Sequence, residues 1–164
     1  MIKEFLNKKN IKGTIILSKE GLNGTISGKQ KEIKFTINKL KKLLKMKDFD
    51  SHNISKSSFQ PFHRPKVKIK KEVVPMNLLL KKKLNKNNYI DPNKWNKLIS
   101  NEKTLLIDAR KPFEHEVGTF KGAINPNINN FRDFPKYLKK IKKERPIAMF
   151  CTGGIRCEKA SSFL

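Results

Sequence analysis

Phe150-Cys151-Thr152-Gly153-Gly154-Ile155-Arg156-Cys157-Glu158-Lys159 decides how this chain is read. The apolar run Pro146–Phe150 before it reads as a strand, and Glu158 to Leu164 reads as the start of a helix. A cysteine just past a strand end, in a glycine loop running into a helix, sits where active sites of open α/β sheets gather. Gly153 and Gly154 let the loop Thr152, Gly153, Gly154, Ile155 curl so that its backbone N–H groups point inward, and the helix adds the positive end of its dipole. Such a cradle stabilises a thiolate and brings a cysteine pKa from about 8.5 into the range of roughly 3.5–7.5. It would equally hold a persulfide or a passing oxyanion. Arg156 closes the ring with a fixed positive charge, so Cys151 and Arg156 are the expected catalytic pair. The bland alternative is a small buried cysteine in a tight strand-to-helix turn. The combination of Cys, two Gly and Arg at this spacing argues against it.

Upstream of this loop the pattern alternates. Phe131 to Lys143 reads as a helix with Pro135 near its first turn. Thr104 to Ile107 reads as a short strand ending at Asp108. Asp91–Pro92 is an N-cap and first-position pair opening a helix through Ile99. Strands alternating with helices predict a parallel α/β sheet over 91–164. Residues 75–90, with one Pro, several Asn and Lys81–Lys82–Lys83, read as a linker. Before it, 1–12 reads as a helix and Thr14 to Leu17 as a strand. Asn23–Gly24 reads as the turn of a hairpin with Thr25 to Ser27 as the return strand. Lys31 to Met46 places Ile33, Ile37, Leu40 and Leu44 on one helical face. Lys66 to Lys70 alternates Lys with Val and Ile, which predicts a half-buried strand with one basic face. Helix, strand, strand, helix, strand over 1–74 resembles a ferredoxin-like α+β unit without its first strand.

The bulk numbers narrow the class of function. The formal net charge is +24, from 38 basic and 14 acidic residues. A basic excess of this size favours a polyanionic partner. Five of the basic residues are Arg and the rest are Lys, so the imprint of an AT-rich genome on tolerant surface positions stands beside that reading. No apolar run reaches transmembrane length, and the first residues lack the apolar core of a signal peptide, so the expected compartment is the cytoplasm, away from membranes. Two cysteines six residues apart do not make a disulfide framework. Cys157 could resolve a sulfenate or persulfide on Cys151 by forming a disulfide, or simply pack under the loop. His52, His63 and His115 lie far apart with no metal-ligand spacing, so no metal is expected. For RNA, Lys66, Lys68 and Lys70 could meet phosphates while Phe59, Phe62, His63 and Arg64 lie just before them. The alternative is an exposed lysine face over a phenylalanine core. Oligomeric state is not legible.

Ile107–Asp108–Ala109–Arg110, Glu114, Gly118 and Gly122–Ala123–Ile124–Asn125, with the C-T-G-G-I-R loop, resemble the rhodanese superfamily. Its loop is one residue shorter than the C-x₅-R loop of cysteine phosphatases, and the shorter loop implies sulfur rather than phosphate chemistry. In that superfamily, residues placed as Asp108, Arg110 and Glu114 mostly brace the loop, with Glu114 pairing Arg156 or Arg110. The likeness is sharper still. E-G-L-N-G-T at 20–25, P-F-H-R-P-K-V-K-I-K-K-E at 61–72, G-T-F-K-G-A-I-N-P at 118–126 and M-F-C-T-G-G-I-R-C-E-K-A at 149–160 resemble the bacterial tRNA uridine 5-hydroxylases. These rhodanese-domain proteins make 5-hydroxyuridine at the tRNA wobble position. The resemblance implies hydroxylation of uridine C5, tRNA as partner, molecular oxygen as co-substrate and no identifiable cofactor, with the essential cysteine at Cys151. It also implies a chain truncated at both ends, lacking a strand before residue 1 and the rest of a rhodanese domain after Leu164. Turnover by this form is therefore a separate expectation. The rivals are a sulfurtransferase that passes a persulfide from Cys151, and a tRNA-binding remnant without turnover.

Overall fold

The computed structural model describes residues 1–78, 89–142 and 144–164. Most of the predicted 75–90 linker, and Lys143 of the predicted 131–143 helix, lie outside the described residues. The chain forms two compact units, Met1–Val73 and Val74–Leu164.

In the first unit, α1 (Ile2–Lys8) leads into β1 (Lys12–Ser18), β2 (Gly21–Ser27), α2 (Gln30–Leu43) and β3 (Pro65–Ile69). The helix expected over 1–12 stops at Lys8 because Asn10 turns left-handed, at φ 50°, which drops Ile11 into the core. β1 lies between an antiparallel β2 and a parallel β3. The hairpin reverses at Lys19–Glu20, not at Asn23–Gly24: Ser18 faces Gly21, and Asn23 and Gly24 pair with Ile16 and Ile15 inside the ladder. This register keeps seven residues paired where a turn at 23–24 would leave three on the return strand. Glycine is required at position 24 for close approach, since a Cβ there would lie 2.3 Å from the Thr14 carbonyl oxygen. Leu6, Ile11, Ile15 and Leu40 form the core, with Ile33 and Val67 packed against it. Each fully buried Leu or Ile contributes about 1.5–3 kcal/mol. On β3, Lys66 and Lys68 are exposed as the alternation predicts, but Ile69 is exposed as well, so the apolar face is buried at Pro65 and only half-buried at Val67.

The second unit runs α3 (Pro92–Ile99), β4 (Leu105–Asp108), α4 (Pro112–Val117), a 3-10 turn at Phe131–Asp133, α5 (Phe134–Leu138), β5 (Ile147–Phe150) and α6 (Ile155–Ser161). Asp91 caps α3 as its sequence predicts, its carboxylate accepting from the N–H groups of Asn93 and Lys94, both at 3.0 Å. β4 and β5 pair in parallel, with Asp108 level with Phe150. Ile124 bridges to Ile107 on the other side of β4. Three expectations need correction. The 131–143 helix is regular only over Phe134–Leu138, and its C-terminal side unwinds through Lys140 N–H to Tyr137 and Ile141 N–H to Leu138 bonds. The final helix starts at Ile155 rather than Glu158, so Arg156 and Cys157 lie in its first turn. α4 has no counterpart in the sequence reading; Pro112 at its first turn and the Glu114 carboxylate on the Lys111 N–H start a helix too short for visible periodicity. Leu105, Ile107, Phe134, Leu138 and Ala160 are the heart of this core. Lys159, only 4% exposed, donates from Nζ to the Val74 carbonyl at 2.8 Å, tying α6 to the start of this unit.

Candidate active site

Parallel pairing of β4 and β5 fixes the site. Because Asp108 and Phe150 end their strands side by side, Arg110 and Cys151 emerge from the same sheet edge. The Ala109 N–H donates to the Phe150 carbonyl at 3.0 Å, holding the two departing chains together.

Asp108 is the foundation. It is wholly buried, and its carboxylate accepts from the Arg110 N–H (3.0 Å), from Arg110 Nε (2.9 Å) and Nη2 (2.7 Å), and from Thr119 Oγ1 (3.0 Å). His115 Nδ1 lies 3.2 Å from the same carboxylate. Burial alone would push this carboxyl up; the Arg110, Thr119 and His115 hydrogen bonds overcome it and hold the pKa at about 2. Asn125 donates to the carbonyls of Asp108 (3.2 Å) and Arg110 (3.0 Å), fixing the backbone over the strand end. The Arg110 guanidinium also lies 5.3 Å from the centre of the Phe150 ring.

Glu114, on α4, holds the cysteine loop itself. Its carboxylate accepts from Thr152 Oγ1 at 2.7 Å and from Arg156 Nη1 and Nη2 at 3.2 and 3.4 Å. Arg156 Nη2 donates to Thr152 Oγ1 at 3.2 Å, and Nη1 reaches the Ala109 carbonyl at 3.5 Å. Burial raises the Glu114 pKa, but the bonds from Arg156 and Thr152 outweigh it and bring it to about 2. Of the two arginine partners open to Glu114 in the sequence, the structure takes Arg156 by direct hydrogen bonds. The loop is thus clamped at both ends, at Thr152 and Arg156, by one carboxylate.

Inside this clamp Cys151 is half-buried and reduced. The Cys157 thiol donates to its sulfur, burial opposes ionisation, and the N–H groups of Cys157, Arg156 and Gly153 add to the cradle; the outcome is a pKa of about 5. Cys157 is pushed the other way, well above the ordinary thiol range, because its proton is held by Cys151 and it is itself half-buried. Cys151 is therefore mostly thiolate at pH 7. Arg156 and Cys157 donate from the first turn of α6, which starts earlier than the sequence pattern indicates, and Gly153 donates from the loop before it. Gly154 caps that helix at φ 77°, a conformation that favours glycine, and a Cβ there would sit 3.3 Å from the Tyr89 hydroxyl oxygen. Tyr89 lies in the stretch read as linker. Burial, then the negative charge of Glu158 and of the two cysteines, and a hydrogen bond to Glu158 raise its pKa to about 12.

Sequence reasoning missed Thr119, Asn125, His115 and Tyr89 as parts of this site. Thr119 and Asn125 lie within quoted motif stretches, which was their only signal. The candidate RNA residues fall in the first unit. Arg64 is exposed and gives its carbonyl to the Gly13 N–H at 3.2 Å; His63, Lys66, Lys68 and Lys70 are exposed, and Phe62 is half-buried. Among the described residues no group of three His, Cys, Asp or Glu is placed to hold a metal ion, and no helix is long and apolar enough to cross a membrane.

Comparison with known proteins agrees with this architecture. Residues 1–73 match the family model of the UPF0176 acylphosphatase like domain, and residues 91–164 match that of the rhodanese-like domain. A tRNA uridine(34) hydroxylase of Pelagibacter ubique (strain HTCC1062) is 66% identical over 164 residues, covering 100% of this chain and 54% of that protein. A tRNA uridine(34) hydroxylase of Bartonella quintana (strain Toulouse) is 45% identical over 163 residues, covering 95% of this chain and 53% of that protein. The chain spans about half the length of these relatives.

Proposed function

We propose, from the chain's likeness to these relatives, that it serves hydroxylation of C5 of the tRNA wobble uridine, with Cys151 as the reactive thiolate. The observation that carries this reading is the Cys151 sulfur, held ionised by a second thiol and three backbone N–H groups at the end of β5. Uracil is electrophilic at C6, and a thiolate adding there places negative charge on C5, the carbon to be oxygenated. With molecular oxygen as co-substrate, one oxygen atom goes to C5 and the other leaves as water. A pair of thiols that ends as a disulfide supplies the two electrons and two protons that reduce the second oxygen atom to water, and loss of the C5 proton then breaks the C6–S bond and releases Cys151 as thiolate. In this reading Glu114, Thr152 and Arg156 position the loop, and Asp108 and Arg110 brace the strand ends beneath it. Cys157 donates to the thiolate, and in this reading it would resolve Cys151 once that sulfur is oxidised. Phe62, His63, Arg64, Lys66, Lys68 and Lys70 meet the RNA, and the reaction runs in the cytoplasm, where tRNA is used.

The test is mass spectrometry of tRNA from cells that lack their own wobble-uridine hydroxylases. Those cells express this chain, its Cys151→Ser variant or a full-length relative. The reading expects 5-hydroxyuridine with the chain and none with the variant. Product from the relative alone removes hydroxylation by this 164-residue form. Thiocyanate formed from thiosulfate and cyanide, without the modified base, would replace the reading with sulfur transfer.

A further inference from the structure

At the end of the parallel sheet away from Cys151, where Leu105 opens β4 and Pro146 leads into β5, a cleft of about 690 Å³ is open to solvent. Half-buried Tyr137 and Ile141 line its apolar side, and exposed Lys103, Lys140, Lys142 and Arg145 line its rim. Glu144 is the one acid among the lining residues. None of the four cations is drawn into an ion pair among the described residues. By contrast, the cations nearest the cysteine, Arg110 and Arg156, are fully engaged by Asp108 and Glu114.

We propose that this cleft is an RNA subsite that takes one unpaired nucleotide, its base against Tyr137 and Ile141 and its flanking phosphates on Lys103, Lys140, Lys142 and Arg145. The proposal rests on the tRNA reading of the previous section and extends it to a second place on the protein. Charge decides the occupant. A second copy of a chain carrying a formal charge of +24 would bring its own excess of cations to a cationic rim. A nucleotide supplies both halves of what the cleft lacks: a flat face for an aromatic and apolar wall, and anionic oxygens for the rim. Such pairing is tolerant of sequence, because every base has a face that stacks. The cleft lies about one strand length, roughly 10–15 Å, from the cysteine loop.

The experiment measures binding of the full chain to an unmodified anticodon stem–loop RNA across a salt series, by fluorescence anisotropy. Reversing Lys103, Lys140 and Arg145 to Glu together should weaken binding at least tenfold and reduce the salt slope by about 2–3, since each phosphate contact contributes roughly 0.7–0.9 to it. Reversing Lys94, Lys97 and Lys136, exposed residues of the same unit outside the cleft, should change the slope far less. Tyr137→Ala should weaken binding several-fold with the slope unchanged, and Tyr137→Phe should restore it, which separates stacking from a general loss of fold. Equal effects of the two triple reversals would overturn the site, and so would an unaltered salt slope. Tight binding of an acidic polypeptide or heparin that also depends on Tyr137 would overturn the nucleotide as occupant. Binding is read without turnover. Loss of hydroxylation with cleft-dependent binding intact breaks the functional reading alone, and hydroxylation with cleft-independent binding breaks this inference alone.

Discussion

Asp108 and Glu114 are both carboxylates beside the cysteine loop, both held near pKa 2, yet they do different work. Asp108 has no exposed side-chain surface, and the partners of its carboxylate, Arg110, His115 and Thr119, lie on the segment that leaves β4. Glu114 keeps about a fifth of its side chain in solvent and reaches across to Thr152 and Arg156, some 40 residues away. The first joins a strand end to its own continuation; the second joins that continuation to the chemistry. The same shift in acidity thus marks a foundation in one case and a clamp in the other. Burial and the sequence distance of the partners tell them apart.

The sharpest way to break this comparison is Asp108→Asn. An amide cannot satisfy both nitrogens of Arg110 together with Thr119 and His115. Leaving the half-buried Arg110 without its charge partner costs about 1.5–3 kcal/mol. Urea unfolding should show this loss, and a change under about 1 kcal/mol would make Asp108 no foundation. Acid sharpens the contrast next. Both folded pKa values lie below their unfolded values, so each carboxylate contributes stability above the ordinary carboxyl range and loses it as pH falls from about 5 towards 2. For Asp108, a fall from 3.8 to about 2 corresponds to about 2 kcal/mol. Asp108→Asn should therefore flatten the acid limb of the stability curve, and an unchanged limb would assign it to other groups. Cys157→Ala removes the largest contribution to the low Cys151 pKa and should raise it by about one unit, or about 1.4 kcal/mol, with the fold intact by circular dichroism. The smallest expected effect is on stability in Glu114→Gln. The neutral isostere keeps one acceptor oxygen but gives up the ion pair with Arg156; solvent reaches about a fifth of both side chains and screens that pair, so unfolding should shift by only about 1 kcal/mol. The rate at which Cys151 is alkylated should nevertheless change, because the loop is held less tightly. A large stability loss there would make Glu114 a second foundation.

Much of this was legible in the residues. The strand–loop–helix around Cys151 needed only an apolar run, two glycines and a cysteine. Asp91–Pro92 marked its helix because a cap acts through local bonds. Misreadings arose where tertiary pairing outvoted local preference. Asn23–Gly24 is a strong turn signal, but the longer ladder places it mid-strand and reverses the chain two residues after Ser18. α4 is six residues long, too short for a period to show, yet it carries Glu114 and His115. Tyr89 was invisible because nothing local in a lysine- and asparagine-rich stretch announces a contact with Gly154, 65 positions along the chain. The first unit's basic strand was read correctly as basic, but Ile69 is exposed where alternation alone would have buried it.

The most direct test of the central claim is the pH dependence of Cys151 alkylation by iodoacetamide, followed by peptide mass spectrometry so that Cys151 and Cys157 are read separately. The account predicts a Cys151 midpoint at about pH 5, with Cys157 unreactive across the neutral range. A Cys151 midpoint at the ordinary thiol value, or Cys157 reacting first, would contradict a preformed thiolate in this loop.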